Sequence, residues 1–232
     1  MGARPYVLLS CGTSIDGCLD DGSAERLLLS NDADFDRVDA ARAECDAIMV
    51  GAGTVRRDDP RLLVRSSHRR AERLARGLPP SPVKVTLTAR GGLDPAAQFF
   101  TAGTASDQRL VYCGTPAVEA TRARLAGLAD VVDAGNPVDL ARLLADLHAR
   151  GVRRLMVEGG ESVHTQFLGA GLVDELHLVI APFFVGEARA PRLVGDGRFP
   201  PGPGRRATLA EVRRIEDVVL LRYTFPADGA GS

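Results

Sequence analysis

Charge of one sign is not in excess in this 232-residue chain. Its 29 Lys and Arg stand against 30 Asp and Glu, a formal net charge of −1. A near-neutral protein has no bulk attraction for nucleic acid or an anionic membrane, and neither partner is expected. Long hydrophobic runs are missing too, so no membrane span is expected. The residues before Tyr6 are too few and too polar for a secretory signal, and a cytoplasmic location is expected. Cysteine is scarce. Cys11, Cys18, Cys45 and Cys113 form no CxxC pair, and no histidine stands at ligand spacing from them. No metal site is expected, and the four thiols read as reduced and structural. Lysine is almost absent: Lys84 is the only one, and arginine carries the rest of the positive charge. Arginine clusters therefore carry less information here, and the lone lysine carries more. There are no internal repeats and no compositional boundary. The length suits one domain over residues 1–232, with an ordered core at about 5–225 and a disordered tail at 226–232.

What remains is ordinary globular composition, 45% hydrophobic and 25% charged. Short apolar runs at residues 6–11, 47–51, 83–88, 110–113, 154–158 and 175–182 read as strands. Residues 32–45, 117–126, 139–150 and 161–170 read as helices. Ser30, Asn31 or Asp32 can cap the first, and Leu140, Leu143, Leu144 and Leu147 make one stripe on the third. Residues 66–82 are polar and arginine-rich and read as a surface excursion, and residues 186–206 as a long loop. Two alternating segments, 208–214 and 218–225, predict a closing antiparallel pair. Strands alternating with helices predict an α/β fold: a mainly parallel central sheet, helices on both faces and a C-terminal antiparallel hairpin.

Ligands of such sheets sit beyond the carboxyl ends of strands. There an apolar run ends in Glu158-Gly159-Gly160 and a helix begins. Glycines let backbone N–H groups approach an anion, and a helix N-terminus favours negative charge. A pyrophosphate at Gly159, Gly160, Glu161 and Ser162 is one reading; a plain strand-to-helix turn is the other, since this is not a Gly-x-Gly-x-x-Gly fingerprint. Glu158 can accept hydrogen bonds from a polar substrate, or stand as an exposed carboxylate. On the 32–45 helix, a 100° step per residue places Arg42 among Phe35, Val38 and Cys45. A desolvated guanidinium needs a partner, either a ligand phosphate or carboxylate or an intrahelical pair with Asp39. The run 50–65 packs Gly51, Gly53, Thr54, Asp58 and Arg65 after a strand end: Thr54 can bond a cofactor, Asp58 a hydroxyl and Arg65 a phosphate. Its bland reading is a solvated turn. Gly12, Thr13, Ser14, Asp16 and Gly17 follow the first strand, where backbone amides can border a nicotinamide or form an ordinary loop. His164, alone on its helix, reads as structural or solvent-facing.

Taken in order, these segments resemble one family: the reductase domain of the riboflavin-biosynthesis deaminase-reductase, whose fold is like that of dihydrofolate reductase. The matching pieces are 13–17 (TSIDG), Arg42-Ala43, 46–48 (DAI), 51–55 (GAGTV), 58–65 (DDPRLLVR), 158–160 (EGG) and 172–176 (LVDEL), within residues 5–225. The resemblance implies NADPH-dependent reduction of the ribose of 5-amino-6-(5-phosphoribosylamino)uracil to a ribityl chain. It implies cofactor contacts from Gly12, Thr54, Asp58, Ala89 and the turn Gly159, Gly160, Glu161, Ser162 and Val163. It implies substrate contacts from Arg42, Leu62, Arg65 and Glu158, and a homodimer. The family's Trp-Ile-Thr/Ser segment before the Arg42 helix is replaced by 25–30 (ERLLLS), and the His-x-Glu with Pro-Cys-x-x-Cys signature of a zinc deaminase is absent from this sequence.

Hydride transfer needs little acid-base apparatus beyond positioning and a proton, which Glu158, Asp16 or water can deliver. Two rival readings remain: a reductase of another heterocycle, such as a pterin or a specialised-metabolite pyrimidine, and a non-catalytic nucleotide-binding module. The first shares the cofactor site and differs at residues 25–30; the second binds ligand without turnover.

Overall fold

The computed structural model describes residues 3–23, 27–104 and 107–226. Its elements in chain order are β1 (Tyr6–Thr13), α1 (Asp32–Ala43), β2 (Ala47–Gly51), α2 (Ala52–Asp58), α3 (Ser67–Ala75), β3 (Val83–Thr88), α4 (Gln98–Thr101) and β4 (Arg109–Cys113). A 3-10 turn (Thr115–Ala117) then leads into α5 (Val118–Arg124), followed by β5 (Asp130–Asp133), α6 (Leu140–Ala149), β6 (Arg154–Gly159), α7 (Glu161–Gly169), β7 (Glu175–Ile180), β8 (Thr208–Ile215) and β9 (Val218–Thr224). The fold is α/β, with mostly parallel strands and an antiparallel C-terminal pair. The chain forms two compact units: one holds residues 38–156 with the N-terminal residues to Pro5, the other residues 6–37 and 157–232.

In the first unit the strands run β5-β4-β3-β2, all parallel, with Met49 opposite Val85 and Val85 opposite Leu110. All five residues of β2 are buried. Strands covered on both faces read as unbroken apolar runs, which is why these stand out in the sequence. The leucine stripe of α6 is buried as expected, and Asp139 caps that helix by accepting from the Ala141 and Arg142 amides at 2.9 and 3.0 Å.

The 66–82 excursion is a correction: it contains α3. Ser66 caps the helix, its hydroxyl accepting from the Arg69 amide at 3.3 Å. Arg73, only 2% exposed, donates to the carbonyls of Ala43, Cys45 and Pro79 at 2.8, 2.9 and 2.8 Å. A buried guanidinium, not a buried apolar stripe, fastens α3. Lys84 plays the same part in β3. Its buried ammonium donates to the carbonyls of Phe99 (3.1 Å) and Ala102 (2.8 Å), at the open carbonyl end of α4, and burial pulls it down to about 8. All four cysteines are free, and burial pushes the Cys11 thiol up to about 12, which suppresses the reactive thiolate.

In the second unit the order is β1-β7-β9-β8. β1 and β7 are parallel, with Cys11 opposite Leu178, while β9 runs antiparallel to both β7 and β8. Buried Glu175 accepts from Tyr6 Oη (3.0 Å), His177 Nε2 (2.9 Å) and two Arg222 nitrogens (2.9 and 2.7 Å). Burial alone would raise its carboxyl, but these bonds bring it to about 2. Of the capping candidates for α1, the Asn31 side chain accepts from the Asp34 amide at 2.9 Å. Glu25 and Arg26, and the tail from residue 227, lie outside the described residues. Among those described, no helix is long and apolar enough to cross a membrane.

Candidate active site

The substrate-side candidates of the first unit lie on the last turn of α1 and the loop 59–66. The buried side chains of α1 include two carboxylates, Asp34 and Asp39, while Phe35, Val38 and Arg42 are half-buried. The helix therefore has no apolar face for Arg42 to interrupt. Asp39 is committed elsewhere: it accepts from the amides of Arg65 (2.5 Å) and Ser66 (3.1 Å) and from Arg69 Nη1 (3.0 Å). Arg42 Nη1 donates to the Leu63 carbonyl at 3.3 Å. These bonds bring Arg42, Leu62 and Arg65 into one neighbourhood. Leu62 is 2% exposed with φ of 50°, and Asp59 has φ of 41°. A left-handed leucine is uncommon and strained, and it persists only where its surroundings impose it. Gln98 supplies part of that restraint: its amide and Nε2 donate to the Asp59 carboxylate at 2.6 and 3.1 Å, and its Oε1 accepts from Arg61 Nε at 2.7 Å. The Val64 amide donates to Ser81 Oγ at 3.1 Å.

The cofactor-side candidates of this unit sit at neighbouring strand ends. Thr54 and Asp58 share α2, which starts directly after β2, and Asp58 pairs with Arg57 at 3.2 Å. Ala89 follows β3, whose Leu87 lies opposite Gly51. Gly114 passes so close to Ala89 that a Cβ there would sit 2.5 Å from the Ala89 carbonyl oxygen, which fixes the backbone at that strand end.

In the second unit, Gly12 ends within β1, and Glu158 is half-buried in β6 just ahead of Gly159 and Gly160. Both glycines have positive φ, 144° and 93°, a backbone course that L side chains rarely take. The turn delivers the chain into α7, where the Val163 amide donates to the Gly160 carbonyl at 2.9 Å and the N–H groups ahead of it have no intrahelical acceptor. The buried Val163 anchors that turn from inside. Asp16 braces a loop: its carboxylate accepts from Ser14 Oγ (2.5 Å) and from the Gly186 (2.8 Å) and Val185 (3.1 Å) amides. The Ser14 hydroxyl first, then those two amides, hold its carboxyl well below the usual carboxylate range, so at neutral pH it carries no proton to give.

Sequence reasoning missed Arg192, which lies in the featureless loop after β7. Its amide donates to Glu161 at 2.7 Å, and its Nη1 to the Asp16 carbonyl at 2.9 Å. Arg192 thereby brings together the Asp16 loop and the start of α7, two segments far apart in sequence. It also turns the Glu161 carboxylate towards the long loop, leaving the role of Glu161 in an anion site to its backbone. Nothing in the local sequence around Arg192 signals this.

The sequence matches the RibD C-terminal domain over residues 5–221. This chain belongs to that family. It is 38% identical to the 2,5-diamino-6-ribosylamino-4(3H)-pyrimidinone 5′-phosphate reductase of Archaeoglobus fulgidus, over 84% of this chain and 89% of that one. It is 36% identical to the reductase of the same name from Methanothermobacter thermautotrophicus, over 95% of this chain and 98% of that one. Among solved structures, a pyrimidine reductase-like protein from Corynebacterium diphtheriae superimposes with a TM-score of 0.78 at 26% identity, covering 97% of this chain and 93% of that one. The chain is thus an oxidoreductase of riboflavin biosynthesis, and reduction of this kind calls for a nicotinamide cofactor.

Proposed function

We propose that this chain uses NADPH to reduce the ribose of 2,5-diamino-6-ribosylamino-4(3H)-pyrimidinone 5′-phosphate to a ribityl chain. The likeness to the Methanothermobacter reductase, nearly end to end in both chains, carries this reading. A second reading, with 5-amino-6-(5-phosphoribosylamino)uracil as substrate, is favoured by the ordered motifs shared with the deaminase-reductase. The two pyrimidines share the ribose, the phosphate and the reacting carbon, and they differ at ring position 2.

When bound, the cofactor supplies a hydride. The acceptor is C1 of the ring-opened, imine-like ribosylamine. A C1–H bond forms, the C=N π pair moves to nitrogen, and nitrogen takes a proton. Arg42 and Arg65 bind the phosphate, whose oxygens match the forked donors of guanidinium. Leu62, fixed in its left-handed conformation between them, shapes the substrate-facing loop. Glu158 binds the sugar or base and orients a water that delivers the proton; Asp16, ionised and fully engaged, keeps the 14–17 loop in place. Gly12, Thr54, Asp58, Ala89 and the backbone of Gly159, Gly160, Glu161, Ser162 and Val163 hold the cofactor. A 2′-phosphate finds cations in Arg56 and Arg57, both exposed in the last turn of α2. The family match over residues 5–221 supports one reductase domain with its core at about 5–225. For a homodimer, the edge strand β8 and its neighbour β9 offer the exposed apolar side chains Leu209, Val212 and Val219. A metabolic role of this kind fits the cytoplasm.

Nicotinamide oxidation, followed with the purified chain and each pyrimidine in turn, tests the reading. NADPH and NADH are compared, and dihydrofolate serves as the control. The expected outcome is NADPH-specific turnover of the diaminopyrimidinone. Faster turnover of the uracil would select the second substrate. Turnover of neither pyrimidine would overturn both readings.

A further inference from the structure

We infer that His164 Nε2 accepts a hydrogen bond from a hydroxyl or amide N–H of the bound nicotinamide nucleotide, at the place a side chain on Gly159 would occupy. The inference rests on the nicotinamide-reductase reading. His164 lies on α7, and its ring is 1% exposed. Helical side chains lean towards the helix N-terminus, here the Gly159-Gly160 turn. Nδ1 stands 3.1 Å from the Leu193 carbonyl, which can only accept, so Nδ1 carries the hydrogen. Burial pushes the imidazole down to about 4, against the smaller opposing effect of the Leu193 bond, so the ring is neutral at physiological pH. Nε2 is then a bare acceptor, and among the described residues it has no hydrogen-bond partner. A buried acceptor without a donor is costly, so one in a native fold calls for an explanation.

The turn supplies that explanation. A Cβ built on Gly159 would have one heavy atom within 4 Å outside its chain neighbours: His164 Nε2, at 3.9 Å. Beyond the chain neighbours, no other heavy atom of the described residues lies within 4 Å of that position. Gly159 keeps it open because its φ of 144° disfavours any L side chain. The start of α7 beside it favours an anion. An ionised phosphate brings acceptors only and cannot satisfy a bare nitrogen. The ligand must therefore join a phosphate to a nearby donor, and a nicotinamide nucleotide does so through its ribose hydroxyls or its carboxamide. Through Leu193, His164 also ties the loop that carries Arg192 to the same turn, so one ring serves both the brace and the ligand.

The test is ¹⁵N NMR of the full chain labelled at its histidine rings, with the His164 signals assigned by their loss in His164→Asn. The expected result is an Nε2 resonance at the bare-nitrogen position that moves upfield when NADPH saturates the protein. 2′-Phosphoadenosine diphosphoribose keeps both riboses and lacks the carboxamide: the same shift would assign the donor to a ribose hydroxyl, and no shift with it would assign the donor to the carboxamide. His164→Asn keeps a donor for Leu193 and loses the acceptor, so NADPH affinity, read by cofactor fluorescence, should fall by about tenfold with little change in melting temperature. His164→Gln, whose amide oxygen can reach the Nε2 position, should recover part of that loss. An Nε2 resonance already shifted without nucleotide, or unmoved by bound NADPH, overturns the inference, as does unchanged affinity in His164→Asn. Failure of the wild-type chain to bind NADPH at all would instead remove the cofactor reading on which it rests.

Discussion

The loop 59–66 and the turn Gly159-Gly160 both follow the ends of regular elements, and they are held by opposite means. Side chains from elsewhere grip the loop by its backbone: Asp39 takes the Arg65 and Ser66 amides, Ser81 the Val64 amide, and Arg70 Nη1 donates to the Val64 and Arg65 carbonyls at 3.0 and 2.6 Å. With its backbone so engaged, this loop can read a ligand mainly through side chains, which suits recognition of one particular substrate. The glycine turn is shaped by its own dihedral angles, and its helix start leaves backbone N–H groups for a ligand. A backbone site of this kind suits a generic anion such as a pyrophosphate. The two regions should therefore fail differently when perturbed: the loop through a remote carboxylate, the turn through any added Cβ.

The largest effect is expected at Asp39. Asp39→Ala removes the acceptor for two backbone amides and the partner of Arg69. Hydrogen bonds to a charged group contribute about 1.5–3 kcal/mol, so the loss should be on the order of 3 kcal/mol in chemical denaturation. Substrate KM should rise with it, because the Arg65 backbone loses its anchor, while NADPH affinity stays near that of the wild type. Equal losses of substrate and cofactor affinity would erase the contrast between the two regions.

Gly160→Ala comes next. Its φ of 93° with ψ of 135° lies where an alanine is strained by about 1–3 kcal/mol. Here NADPH affinity should fall and substrate KM should hold. A variant that melts like the wild type and binds NADPH as tightly would show that the turn does not need its glycine.

How legible these regions are in the sequence follows from what builds them. Strands β2, β3, β4 and β6 and the stripe of α6 announce themselves because burial on both faces, or along one stripe, leaves an apolar pattern. The glycine turn is visible because positive φ selects a residue type. Arg42, Leu62 and Arg65 lie in one neighbourhood for a reason the composition does not suggest. Asp39, which looks like an intrahelical partner for Arg42, holds the backbone of a loop 26 residues away. The contacts that hold α3 and join Lys84 to α4 stay hidden because they are buried cations bonded to carbonyls, which no apolar pattern marks. Arg192 and the orphaned nitrogen of His164 depend on where a featureless loop returns, which only the folded chain shows.

The smallest effect is expected at Gly12, and it sharpens the comparison most. Gly12 has no unusual φ, so an alanine there meets only packing: its Cβ would lie 3.2 Å from Leu29 Cβ and 3.3 Å from the Leu29 carbonyl oxygen. A shift of a few tenths of an ångström relieves this, and Gly12→Ala should cost about 0.5 kcal/mol or less in thermal unfolding. Because that methyl faces Leu29, a cofactor lying against β1 senses it through the displaced Leu29 segment rather than by direct contact. Weaker NADPH binding at a nearly unchanged melting temperature would thus mark Gly12 as a glycine kept for its ligand, unlike Gly160, where fold and ligand both require it. Unchanged NADPH binding would take Gly12 out of the cofactor site and leave the turn of α7 as the backbone element of the second unit that holds the dinucleotide.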